Sequence, residues 1–139
     1  MEQTSFLNPV VPYSTPINGG LMPGRAITIV GCVTANAHRF EVNLCHSSGI
    51  AMHYNPRFDE KAVVRTTLDG ETWGKEERDG PMPFSRGHAF ILTICCEVPC
   101  FRVFVDGLLV HNYKHRFDNL QQITSVKIEG DVTLTSVVV

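Results

Sequence analysis

Little in this chain points to a long helix, a membrane or a polyanion. No apolar run approaches the roughly 20 residues that a membrane-spanning helix needs, and no stretch sustains a long helical period. Charge of one sign is not in excess. Twelve Lys and Arg stand against 14 Asp and Glu, for a formal net charge of −2. No basic field therefore attracts nucleic acid or an anionic membrane surface. Charged residues make up 19% of the chain and hydrophobic ones 43%, which fits a globular protein rather than a disordered one. Nucleic-acid-binding, membrane-embedded and disordered classes are set aside.

An ordinary secretory signal is also lacking. The first residues, Met1 to Pro9, contain no basic region followed by an apolar core, so a cytoplasmic protein is expected. Its five cysteines are Cys32, Cys45, Cys95, Cys96 and Cys100. The odd number and the missing signal argue against a disulfide framework and for free thiols. The paired C-x-x-C form of a metal site is absent, and no metal or other cofactor is expected. Cys95 or Cys96 reads as a small core hydrophobe. Outside the cell the same thiols would be open to oxidation.

What is present is a succession of short strands. A chain of 139 residues fits one domain, and near that size a domain buries roughly two-thirds of its extended-chain surface. Residues 1–18, with Pro9, Pro12 and Pro16, read as an extended arm along the edge of a domain spanning 19–139. Strands are expected at Ala26–Val33, Phe40–Cys45, Ile50–Tyr54, Ala62–Thr66, Ala89–Glu97, Phe101–Val105, Leu108–Tyr113, Val126–Glu129 and Val132–Val139. Asp69-Gly70, Asp79-Gly80 and Asp106-Gly107 are hairpin signals. Ala89–Glu97 is the most apolar run and reads as fully buried. Residues 115–122 offer the one helical turn. Short strands at this spacing, without an internal repeat, predict an all-β, two-sheet antiparallel β-sandwich.

Polar chemistry concentrates between His53 and Arg78. His53, Asn55 and Arg57 alternate with Met52, Tyr54 and Pro56, so they share one face of a strand. Glu76 and Arg78 also share a face, close to Trp73, the only tryptophan. Fixed donors and acceptors read the direction of hydroxyl groups, and a flat ring stacks on a patch of C–H groups. A pyranose sugar offers both surfaces. Tyr54 is expected to face the core with its hydroxyl bonded, Pro56 to end its strand, and Arg65 and Lys75 to be solvated. His38, His46, His88, His111 and His115 read as surface or edge residues.

The spacing His53-x-Asn55-Pro56-Arg57, then Val64-x-Thr66, then Trp73-Gly74-x-Glu76-x-Arg78 resembles the galectin signature. Gly19-Gly20-Leu21, Arg39 to Leu44, Met82-Pro83-Phe84, Phe101 to Gly107 and Gly130 to Leu134 resemble galectin segments in the same order. The resemblance implies a jelly-roll-type sandwich with a sugar on its concave face. It also implies a β-galactoside ligand carried by glycoproteins or glycolipids, and a site made of His53, Asn55, Arg57, Thr66, Trp73, Glu76 and Arg78. Arg39, Glu41 and Asn43 would border an extended-glycan subsite. The resemblance further implies synthesis in the cytosol and, as for many galectins, release to the extracellular space by a non-classical route.

Thr66 departs from the pattern, because the family places asparagine there. The shorter side chain predicts weaker lactose binding. If that loss were complete, the chain would act through protein contacts or as a structural component. An enzyme is not expected: Glu77 points away from Glu76, and a carboxylate held between two guanidiniums makes a poor general acid. Cross-linking of glycoconjugates would require an oligomer, and the apolar end Val137-Val138-Val139 offers an edge for a homodimer.

Overall fold

The computed structural model describes residues 4–139. Its strands are β1 (Ser5–Leu7), β2 (Tyr13–Pro16), β3 (Ala26–Val33), β4 (Phe40–His46), β5 (Gly49–Arg57), β6 (Ala62–Asp69), β7 (Thr72–Trp73), β8 (Ala89–Cys96), β9 (Cys100–Val105), β10 (Leu108–Lys114), β11 (Ser125–Gly130) and β12 (Val132–Val138). Among the described residues a single 3-10 turn, Leu120–Gln122, lies between β10 and β11. The strands form two antiparallel six-stranded sheets, ordered β1-β12-β3-β8-β9-β10 and β2-β11-β4-β5-β6-β7. The expected all-β sandwich is the architecture found.

Period-two patterning drives the assembly. In β3, Ile27, Ile29 and Val33 are buried while Ala26, Thr28 and Val30 alternate with them half-buried, as the pleat of a one-sided sheet requires. The two inner faces meet around Phe40. Its ring stacks on Phe90 at 5.5 Å and meets Phe84 edge-on at 5.3 Å. Asp69-Gly70 and Asp106-Gly107 make the expected hairpins, with positive φ at Gly70, Asp106 and Gly107. Asp79-Gly80 does not join paired strands. The segment from Gly74 to His88 forms no strand; its one β-bridge to β6 is between Arg65 and Glu77, beside hydrogen bonds with Thr66, Thr67 and Arg65.

Several local expectations change in the tertiary structure. β1 pairs with β12 and β2 with β11, so the proline-bearing stretch supplies an outer strand to each sheet. Pro16 is tolerated because β2 is an edge. The end of the chain is therefore no free edge: β12 lies between β1 and β3, and Val137 and Val139 are buried. β8 buries Phe90, Leu92, Ile94 and Cys96 but leaves Ile91 49% exposed. It is covered on one face only.

β5 does not stop at Pro56. It runs to Arg57, with Pro56 opposite Val63 of β6. On its other side, Phe58 N–H donates to His38 O at 2.9 Å. The antiparallel ladder bonds alternate pairs, so Pro56 falls where a donor to Phe40 O is due and proline has none. The Asn55 side-chain amide donates to Phe40 O instead, at 2.7 Å. The Asn-Pro pair thus repairs its own ladder and lets a central strand pass through proline.

Phe40 joins the two sheets' inner faces, and its replacement by alanine should leave a cavity. Phe40→Ala is expected to lower unfolding free energy by about 3–5 kcal/mol, measured by urea denaturation. A loss below about 1 kcal/mol would show that the core does not depend on this ring.

Candidate functional site

Three neighbouring strands bring the motif together. Asn43 of β4, His53 of β5 and Thr66 of β6 stand opposite one another in the ladder. On the solvent side of this sheet lies a groove of about 390 Å³ lined by Arg39, Glu41, His53, Asn55, Arg57, Thr66, Trp73 and Glu76. Eight of the ten expected site and subsite residues thus line one surface, Trp73 entering it from β7 and Glu76 from the segment after it. Arg78 stands beside the groove and bonds Glu76. Asn43 lies beneath it.

The polar floor is bonded before any ligand arrives. Burial, and then the Arg57 guanidinium, push the His53 imidazole down to about 4, so the ring is neutral near pH 7. His53 Nδ1 lies 2.7 Å from Asn43 Oδ1. The Asn43 amide nitrogen donates to Glu41 Oε1 at 3.4 Å, which sets the amide oxygen toward histidine. Nδ1–H is therefore the donor, and Nε2 keeps a lone pair as an acceptor. Asn43 thus acts as an orienting residue under His53.

Arg57 is held on three sides. Its Nε donates to Asn55 Oδ1 at 2.8 Å, and Nη1 donates to Glu60 Oε2 at 3.2 Å. Nη2 stands 3.7 Å from Glu76 Oε2. Arg78 completes the lattice, donating from Nε to Glu76 Oε1 at 3.0 Å and from Nη1 to Glu60 Oε1 at 2.6 Å. Arg39 Nη2 comes to 3.9 Å of Glu60. The hydrogen bond from Arg78 above all holds the Glu60 carboxyl below its usual range. Sequence reasoning missed Glu60. Its one local signal was its position three residues after Arg57, in the turn that leaves β5.

Trp73 is 51% exposed. Its ring centroid lies 4.9 Å from that of His53, tilted by 58°, and the residue lines the groove. Thr66 is buried, and its Oγ1 faces the carbonyls of Gly74 at 3.0 Å and Lys75 at 3.2 Å. Its one proton is committed to backbone. At the far end, burial and then the neighbouring Glu129 raise the Glu41 carboxyl. Asp131 accepts from the backbone N–H of His38 and Arg39, at 2.8 and 3.2 Å. These bonds hold the backbone that carries Arg39.

Two residues expected at the surface are core members. Arg65 is 2% exposed and donates to Val63 O, Asp79 O and Asp79 Oδ1 at 2.7–2.9 Å. His111 is buried between Tyr54 and Pro81. Burial and then Arg65 push its imidazole down to about 4. Tyr54 Oη donates to its Nδ1 at 2.9 Å, and its Nε2–H donates to Pro81 O at 3.0 Å. Tyr54 thus faces the interior with its hydroxyl paired, as expected. His46 and His115 are half-buried, stacked on Phe117 and set edge-on to Phe101.

A two-sheet sandwich with a polar, preorganised groove and one exposed indole defines a carbohydrate-recognition domain. The galactoside-binding lectin family model matches residues 12–139. Galectin-3 of Cricetulus longicaudatus is 41% identical over 129 residues, 91% of this chain and 53% of its own length. A 32 kDa beta-galactoside-binding lectin of Haemonchus contortus is 43% identical over 128 residues, 91% of this chain and 45% of its own length. The chain spans about half the length of these relatives. The crystal structure of Caenorhabditis elegans galectin LEC-6 superposes with a TM-score of 0.90 at 29% identity, over 97% of this chain and 95% of that one. The chain belongs to the galectin family of galactoside-binding lectins, whose members bind carbohydrate and are not enzymes.

His53 and His111 carry a stability consequence. Both are neutral in the fold down to about pH 4, whereas an unfolded histidine takes up its proton near 6.5. Between those values the unfolded chain binds more protons, so stability falls as pH falls from about 6.5 to about 4. The urea midpoint should drop across that window, with a shallower slope in His111→Gln. A midpoint that stays level or rises on acidification would contradict the burial of these rings.

Proposed function

We propose that this chain is a β-galactoside-binding lectin whose groove, on the concave face of its sheet, takes the galactose of lactose- or N-acetyllactosamine-type glycans. The observation that carries this reading is the exposed Trp73 ring set beside the prebonded His53, Arg57, Glu76 and Arg78. Galactose differs from glucose by an axial O4. A hydroxyl standing out of the ring can donate to the His53 Nε2 lone pair while accepting from the Arg57 guanidinium. Trp73 offers its face to the C–H patch on the other side of the same sugar. Glu76, accepting from Arg78, is placed to accept a hydroxyl of the second sugar. Because the ion-pair lattice already fixes the guanidiniums, less side-chain entropy is lost on binding.

Thr66 weakens this grip. Its hydroxyl proton is spent on Gly74 and Lys75, where an asparagine amide would project a donor into the groove. One missing hydrogen bond of roughly 0.5–1.5 kcal/mol reduces affinity without removing it. Arg39 and Glu41 at the groove's end suit contacts with further sugars, oriented through Asn43 and Asp131. Cross-linking of glycoconjugates on glycoproteins or glycolipids requires a second linked site, supplied by a homodimer or by further sequence.

Calorimetric titration of the reduced protein with lactose should saturate, while sucrose gives no heat. A folded protein that gives no heat with lactose would overturn the lectin reading and leave a role through protein contacts. Thr66→Asn should tighten lactose binding by up to about tenfold. An unchanged affinity would refute the role given to position 66.

A further inference from the structure

The segment from Trp73 to Asp79 presents two faces. Trp73, Glu76 and Arg78 serve the groove side. Glu77 and Asp79 point the other way, each onto an arginine: Glu77 Oε2 accepts from Arg116 Nη2 at 2.9 Å, and Asp79 Oδ1 from Arg65 Nη2 at 2.8 Å. Arg65 comes from β6, the adjacent strand. Arg116 comes from the connection after β10, a strand of the opposite sheet.

Arg116 is itself firmly placed. Its guanidinium lies over the Tyr113 ring, 4.9 Å from the centroid. Tyr113 in turn shares a buried hydrogen bond with Thr67 of β6, and Thr67 O accepts from Gly74 N–H at 2.9 Å. Next along the chain, Phe117 stacks flat on His46 at 3.8 Å. A methyl group built onto Gly74 would stand 2.9 Å from Arg116 Nη1, so glycine at this place in the motif lets the guanidinium pass directly beneath. What surrounds that guanidinium is no packed core but a cleft of about 480 Å³, bordered by His46, Thr67, Thr72, Gly74, Arg116 and Phe117.

We propose that Arg116 is a positioning residue for the sugar groove: a strut from the connection after β10 that fixes the Trp73–Arg78 segment from behind through Glu77, passing close beside Gly74. Apolar packing does little of this work at the start of the segment, because the space behind Gly74 is an open cleft. The strut acts on Trp73 and Glu76 without touching the groove. Its side chain is 29% exposed and that of Glu77 33% exposed, so water and salt screen the pair and its effect is moderate.

The single tryptophan supplies a direct readout, because all indole fluorescence comes from Trp73. Arg116→Met should make Trp73 more accessible to acrylamide quenching in the absence of sugar, and should raise the lactose Kd by about twofold to fivefold. Glu77→Gln, which removes the ion pair and leaves the stack on Tyr113, should move both readouts the same way by less. Arg116→Lys, which keeps the charge, should recover part of each. The binding arm rests on the lectin reading, whereas the quenching arm is independent of it, so a protein that failed to bind lactose would still test the strut. If Arg116→Met does not fold, Glu77→Gln decides. Unchanged quenching in the folded variants overturns the proposal, even if affinity falls, since Arg116 would then act by another route.

Discussion

Every polar group that β5 turns toward the groove is bonded to protein, and the site depends on that. The strand is central in its sheet, so an unmet donor or acceptor there would cost about 1–3 kcal/mol. His53 meets the demand through Asn43, Asn55 through the Phe40 carbonyl, and Arg57 through Asn55, Glu60 and Glu76. The same bonds that make burial tolerable also aim the remaining valences outward. A neutral imidazole with its Nδ1 proton engaged has one acceptor left, and it faces the groove. Stability and the geometry of the groove are served by one set of hydrogen bonds.

The Asn55-Pro56 pair is the most economical part of this design. Proline at a bonded position of a central strand would leave the Phe40 carbonyl without its donor. Asparagine one residue earlier supplies that donor from its side chain, and its amide oxygen then receives Arg57 Nε. One side chain closes the ladder on one side and fixes a guanidinium on the other. Phe40 is also the ring around which both sheets pack. Core packing and groove geometry therefore meet at a single residue.

Charge in the groove wall alternates in sign: Arg39, Glu60, Arg57, Glu76 and Arg78 form a connected lattice. These groups are partly exposed, so their pairing contributes little to folding. Its value lies in order. Long side chains that neutralise one another hold fixed positions, so the groove wall has little freedom left to lose. The segment carrying Glu76 and Arg78 lacks a strand partner beyond one bridge, and it is steadied by side chains from behind.

Much of this was legible in the residues themselves. Alternation in β3, β5 and β9, the two Asp-Gly hairpins, and the shared faces of His53, Asn55 and Arg57 and of Glu76 and Arg78 follow from the period of the pleat, which is local. The two sheets follow from the count and spacing of such strands. The tertiary structure decided what depends on partners distant in sequence. Arg65 and His111 are buried because Asp79 and Tyr54 come to meet them. Glu60 and Arg116 matter through arginines and acids that only folding brings near. Val137 and Val139 lie inside because β1, more than a hundred residues earlier, covers the edge of β12. Whether a polar side chain is solvated or buried turns on who faces it across the ladder or from the opposite sheet, and a strand's own pattern carries no information about that neighbour.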